Sequence, residues 1–323
     1  MRIPVIATFV LAVLGIAPQA YAAEKVRLAN TVQINQAHLM ALADYAKKYD
    51  IDLELVPMRR YADQQLALMT NQVDMATMGY VNIGFMEEKN FRDYHAIAGI
   101  ATGGQSVTLA KDVQATTWKD LEGRKLGTAP NSYAETLFKA SVRLSGADLS
   151  KIQTVSFASG GPPLLAALKS REIDGFVSWE PNNAQAAVAG DGYYSSLDLA
   201  DNPTHNVNAL LAVNSGFMQT HRAAVLGMMR AVIDATNAFN NDRTRYIQVA
   251  MNGTGSSEAV VKEAIPRATL DYKLYSKEAK ALLTMIYEAK LTQIDTTGAV
   301  DKQFDYSLLQ EATGMPKDQL GGQ

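Results

Sequence analysis

The sequence predicts an α/β protein of two lobes, joined by two crossings of the chain and followed by a helical C-terminal region. Three observations carry this expectation. Strand-like and helix-like segments alternate from residue 26 to about residue 213, the pattern of sheets covered by helices. The alternation completes one unit and starts again near residue 105 with no low-complexity linker between. Beyond residue 214 the pattern is helical, with no strong strand signal. Two sheet units without a linker require strand-like crossings, expected near 105–110 and 204–210. The first lobe is then 24–106 plus 210–323, and the second is 107–209.

The elements follow in order. Val26 to Asn30 reads as a strand and Gln36 to Tyr49 as a helix with Leu39, Leu42, Ala43 and Ala46 on one face. Asp52 to Pro57 is a second strand, and Tyr61 to Thr70 a helix with Leu66 and Met69 turned inward. Val73 to Met78 is a strand ending at Gly79, Val81 to Lys89 a short helix, and Tyr94 to Ile100 a fourth strand. This βαβαβαβ order predicts a mostly parallel sheet. In the second unit the strands are Gln105 to Ala110, Lys125 to Thr128, Ile152 to Phe157, Ile173 to Ser178 and Tyr193 to Leu197. Its helices are Tyr133 to Ser145, capped by Ser132, then Pro162 to Ser170 and Pro181 to Ala189, with Trp118 to Leu121 as one turn. Asn208 to Asn214 is strand-like again. Helices follow at His221 to Asn241, Arg243 to Met251, Ser256 to Ile265 and Ser276 to Glu288.

The N-terminus has the grammar of a cleavable export signal. Arg2 precedes an apolar run from Ile3 to Ile16, and Ala20-Tyr21-Ala22 places small residues at the −3 and −1 positions of a cleavage site after Ala22. The run is shorter than the ~20 residues that cross a bilayer. The expected location is the periplasm. There is no cysteine, which excludes disulfides, thiolate metal sites and Cys nucleophiles. The net charge is −3, with Lys and Arg scattered; no basic stripe suggests a nucleic-acid partner.

Catalytic constellations are missing from the sequence. It contains no nucleophile elbow, no zinc-protease helix and no phosphate-binding glycine loop. His38, His95, His205 and His221 lie too far apart to share a metal, so neither a metal nor a cofactor is expected. His38 reads as an exposed helix residue and Glu87-Glu88 as a solvated face.

A binding site has better support. Ligands of open α/β sheets sit beyond the carboxyl ends of the strands, where helix N-termini offer free N–H groups. The residues expected to touch a ligand there are Gln33, Gly79, Tyr80, Thr102, Gly103, Ser132, Tyr133, Trp179 and Glu180. Arg59-Arg60 follow the second strand and suit an anion.

Three stretches resemble a known family. They are Asn71 to Gly79, an Asp followed by a strand ending in Gly; Lys125 to Ser132, a strand and its ligand loop; and Leu164 to Pro181, with Ile173-Asp174-Gly175 and Trp179-Glu180-Pro181. Together they resemble type II periplasmic binding proteins, most closely the ABC-transporter substrate-binding proteins of the sulfonate, nitrate, taurine and thiamine-precursor class. The resemblance covers residue 25 to about residue 215. It implies a Venus-flytrap fold that closes on a small molecule and docks on a membrane permease as a monomer, without enzymatic activity. A small organic anion, a sulfonate, taurine, nitrate or a carboxylate, is the expected ligand. A neutral or zwitterionic heteroaromatic such as a thiamine-pyrimidine precursor is the alternative, stacked on Tyr80, Tyr133 or Trp179. A pyrimidine-synthesis enzyme on the same fold is the reading from another class.

Overall fold

The computed structural model describes residues 23–158, 160–197, 199 and 207–323. The expected signal segment, Ser159 and His205 lie outside them.

The chain opens with β1 (Glu24–Thr31), a 3-10 segment (Ile34–Ala41), α1 (Leu42–Ala46), β2 (Ile51–Met58), α2 (Tyr61–Met69), β3 (Met75–Gly79), α3 (Val81–Glu88) and β4 (Tyr94–Gly103). Next come β5 (Gln105–Ala110), β6 (Lys125–Thr128), α4 (Tyr133–Leu144), β7 (Gln153–Ser156), α5 (Pro162–Lys169), β8 (Gly175–Trp179), α6 (Asn182–Ala189) and β9 (Gly192–Tyr194). The remainder is β10 (Val207–Asn214), α7 (Ser215–Thr220), α8 (Arg222–Asn241), α9 (Arg243–Thr254), α10 (Glu258–Ala264), β11 (Ala268–Leu270), α11 (Ser276–Glu288), α12 (Gly298–Gln303) and α13 (Ser307–Thr313).

The strands form two sheets, ordered β11-β4-β10-β3-β1-β2 and β7-β6-β8-β5-β9. The chain passes from the first to the second at Gly103-Gly104, and the first sheet resumes with β10. Both sheets are mixed, whereas the alternation predicted mostly parallel pairing. β1 runs parallel to β2 and β3, but β10 lies antiparallel between β3 and β4. Residues Val207 to Val213 are all buried, as a central strand covered on both faces requires. Alternation cannot reveal this, because the strand that separates β3 from β4 arrives more than a hundred residues later. β11 is an edge strand in a region expected to be only helical.

The same device aligns strands in both lobes. Asp74, just before β3, accepts from the Arg27 backbone N–H at 2.8 Å and from its guanidinium at 2.7 and 3.1 Å. Asp174, just before β8, accepts from the Lys125 backbone N–H at 2.8 Å. An aspartate ahead of a strand thereby holds the register of its parallel neighbour.

The helical C-terminal region braces both lobes. α8 packs on α1, and α10 packs on α6 of the second lobe. Arg143 of α4 donates to the Ala289 carbonyl at 2.7 Å.

Several local expectations change. The first helix breaks into 3-10 and α segments, with a non-helical Gln36 at φ −130°. Leu66 is 60% exposed, while Gln64, Gln65 and Leu68 of the same helix are buried, because α2 turns its amide face toward the sheet end. His38 is fully buried, not exposed, and neither ring nitrogen has a partner among the described residues. Glu87 is not solvated either: it is buried and takes a two-pronged ion pair from Arg92 at 2.7 and 2.9 Å.

Candidate functional site

The strand ends of the two sheets face each other across a cleft. Ser132 caps α4, its Oγ accepting from the Glu135 N–H at 3.1 Å, so the start of that helix points into the cleft. On the opposite wall stand Tyr61 at the start of α2 and Gly79 at the end of β3. Gln105 and Trp179 are register partners on β5 and β8.

The cleft is divided into three spaces. A chamber of about 480 Å³ is lined by Tyr61, Gln65, Asn82 and Lys89 on one side and Ser132 and Lys139 on the other. A second chamber of about 410 Å³ lies against Val32, Met58, Arg59, Trp179 and Asn182. Between them is a throat of about 10 Å³, bounded by Gln33, Arg59, Tyr61, Gln105, Tyr133 and Trp179. That is room for about one water molecule.

The throat is narrow because two phenols meet in it. The rings of Tyr61 and Tyr133 stand edge to face at 6.3 Å and 90°. The Tyr133 hydroxyl donates to the Val207 carbonyl. Tyr61 accepts from Gln36 Nε2 at 2.6 Å and donates to Asn208 Oδ1 at 3.1 Å, and Asn208 Nδ2 donates to the Gly103 carbonyl. Burial pushes both phenols above their ordinary range, so they act as neutral hydrogen-bonding groups.

Around this throat the polar side chains are incompletely satisfied. Among the described residues, Gln33 Oε1 and Gln105 Oε1, which line it, are buried without a hydrogen-bond partner, as are Asn30 Oδ1, both amide atoms of Asn35 and Gln36 Oε1 at the end of β1 and in the 3-10 segment after it. Each such atom costs about 1–3 kcal/mol for as long as no donor or acceptor meets it. Arg59 is exposed and has no ion-pair partner among the described residues, whereas Arg60 is neutralised by Asp63 at 2.8 Å. In the large chamber the carboxylates are tied down: Glu135 accepts from Asn131 N–H at 2.8 Å and from Lys139 at 3.2 Å, and Glu88 accepts from the Gln293 N–H.

The residues singled out from the sequence separate into three groups. Gln33, Ser132, Tyr133 and Trp179 line the throat, and Gly79 lies directly beneath Tyr133. A β-carbon at Gly79 would stand 2.5 Å from Tyr133 Cδ2. Thr102 and Gly103 lie at the crossing, where Gly103 adopts φ +72° and its carbonyl meets Asn208. Tyr80 and Glu180 turn away. The Tyr80 ring is buried against Phe304 at 6.2 Å. Glu180 is fully buried and accepts from the Tyr194 hydroxyl at 2.8 Å and the Ala184 N–H at 3.1 Å. Burial pushes its carboxyl up to about 7. Tyr61, Asn35 and Asn208 were missed. Tyr61 carries the signal used for Tyr133, an aromatic opening a helix after a strand; Asn208 has none, because its role depends on where β10 inserts.

The arrangement suits recognition: hydrogen-bonding amides, two phenols, an indole and two cations, Arg59 and Lys89, without ion-pair partners among the described residues. Among the described residues no group of three or more His, Asp or Glu is placed to hold a metal.

The NMT1-like family model matches residues 24–251. No curated protein matches the chain. Among solved structures, the periplasmic nitrate-binding protein NrtA from Synechocystis PCC 6803 superposes with a TM-score of 0.76 at 15% identity, covering 92% of this chain and 91% of its own. The alkanesulfonate-binding protein SsuA from Xanthomonas axonopodis pv. citri, bound to MOPS, gives 0.73 at 16% identity over 88% and 100% of the two chains. The desulfurization enzyme DSZB gives 0.66 at 15% over 90% and 99%. At these identities the likeness is one of fold: two mixed-sheet lobes of the periplasmic binding protein type, with a helical C-terminal region.

Proposed function

The chain belongs to the NMT1-like family, and from that premise we propose that it is an exported solute-binding protein of an ABC importer. It captures a small organic anion between its lobes in the periplasm and presents it to a membrane permease, acting as a monomer after removal of the segment ending at Ala22. The observation that carries this reading is the throat lined by Arg59, Trp179 and the buried, unpartnered amide oxygens of Gln33 and Gln105, a cation for the anionic group and two acceptors for a donor on the same solute. Such groups are costly in isolation and favourable once a solute meets them. Arg59 supplies the charge preference for a sulfonate, nitrate or carboxylate. In this reading Gln33, Gly79, Ser132, Tyr133 and Trp179 form the contact surface. Thr102 and Gly103 form the crossing about which the lobes move, and Tyr80 and Glu180 support it from behind. The lobes are taken as 24–106 plus 210–323 and 107–209.

Trp179 favours a second ligand class. Its indole borders both the throat and the smaller chamber, a position that suits a flat heteroaromatic. The fold likeness to DSZB keeps an enzyme as the contrasting reading, although the chain has no cysteine and, among the described residues, no histidine lines the cleft.

A thermal-shift screen over sulfonates, taurine, nitrate, carboxylates and pyrimidines tests the proposal. A true solute at a hundredfold excess over its Kd stabilises the protein by about 3 kcal/mol. No shift with any of these classes would sink the binding reading, and conversion of a hit to product would move the protein to the enzymes.

A further inference from the structure

The place where a solute would reach the amides is already filled by the protein itself. Tyr133 belongs to the second lobe, at the first position of α4, and is buried. Its hydroxyl reaches the Val207 carbonyl at the start of β10, in the sheet of the first lobe. Its ring stands edge-on to Tyr61 and lies over Gly79 so closely that no side chain fits between them. The result is a throat of about 10 Å³ separating two chambers of about 480 and 410 Å³. Only a residue lacking a β-carbon at position 79 permits this seat.

We propose that Tyr133 is an internal latch: in the protein without solute its phenol occupies the throat and holds the lobes together through Val207, and a solute binds by displacing it. The proposal rests on the cleft being the solute site. It adds a specificity requirement, because the displaced hydroxyl leaves the Val207 carbonyl in need of a donor. A solute bearing N–H or O–H groups as well as its anionic group can donate to that carbonyl and to the unpartnered oxygens of Gln33 and Gln105 while the anionic group meets Arg59; a bare anion cannot.

The latch is tested without any solute. The chain has no cysteine, so Leu66→Cys in α2 and Leu144→Cys at the end of α4, both exposed, accept spin labels on opposite lobes. Pulsed dipolar spectroscopy then reads the open and closed populations. Tyr133→Phe keeps the ring and loses the hydrogen bond, and should shift the open-to-closed ratio roughly fivefold toward open, the equivalent of one neutral hydrogen bond. Gly79→Ala acts from the other lobe and should also open the molecule, by steric exclusion of the ring. A distance distribution unchanged from the parent in either variant overturns the latch, as does a parent that is already open without solute. None of these outcomes depends on whether the screen finds a solute, so the two readings fail separately.

Discussion

The guanidinium carbon of Arg267 lies 3.8 Å from the centre of the Tyr194 ring. Tyr194 ends β9 of the second sheet, and Arg267 stands immediately before β11 of the first. The Arg267 carbonyl also accepts from the Gly104 N–H at 2.9 Å, and the Tyr194 hydroxyl serves the buried Glu180. These contacts form a strap across the lobes beside the Gly103-Gly104 crossing.

Arg267→Ala should therefore destabilise the protein by about 0.5–1 kcal/mol, the size of a partly exposed cation–ring contact. Tyr194→Phe should cost more, about 1–3 kcal/mol, because it leaves a buried carboxyl oxygen without its donor. Urea unfolding of the two variants would reveal the order; a larger loss for Arg267→Ala would contradict it.

Two buried groups predict opposing pH dependences. The Glu180 carboxyl is raised from 4.5 to about 7 by burial, against the opposing pull of Tyr194, the Ala184 N–H and Arg267, with Glu263 adding slightly to the rise. Folding takes up a proton there, so this contribution is fully present below pH 4.5 and is lost as pH rises toward 7. His38 is lowered from 6.5 to about 3 by burial, so its contribution is present above pH 6.5 and is lost as pH falls toward 3. Between pH 4.5 and 6.5 the two slopes oppose each other, each at most about 1.4 kcal/mol per pH unit. Glu180→Gln should leave stability rising with pH across this window, and His38→Leu should leave it falling. Urea titrations at three pH values decide the matter, and curves parallel to the parent for both variants would refute it.

Ser132→Ala should cost about 1 kcal/mol through loss of the cap on α4. Ser132→Asp, which restores an acceptor for the Glu135 N–H, should recover most of that stability. Failure of aspartate to rescue would mean that the serine contributes through the cleft instead of the helix end.

With a solute in hand, Arg59→Ala and Trp179→Ala separate the ligand classes. Loss of a charge-assisted contact predicts roughly tenfold or greater weakening of any anion by Arg59→Ala. Trp179→Ala should weaken an aromatic solute far more than nitrate or an aliphatic sulfonate. Calorimetric titration of one aromatic and one aliphatic solute checks both, and equal losses for the two solutes would remove Trp179 from the contact surface.

By itself the sequence determined the α/β class, the second unit beginning near residue 105, the capping role of Ser132 and the loops at the strand ends. These are local matters: a repeat of apolar positions declares which face of a segment is buried, and Ser, Gly and Pro act within a few residues of themselves. It also determined the chemistry that is excluded, since a chain without cysteine cannot use one. Only the tertiary structure decided which side chains of those loops reach the cleft. Tyr80 and Tyr133 follow their strands in similar ways, yet one ring packs on Phe304 and the other on Gly79. His38, three residues beyond Asn35 on a kinked segment, is buried for the same kind of reason. Periodicity says that a face is covered but not by what, and the covering elements here, β10 and the C-terminal helices, come from more than a hundred residues away. Their packing settled the mixed sheet, the narrow throat and the raised carboxyl of Glu180, because burial and hydrogen-bond satisfaction are properties of the assembled molecule.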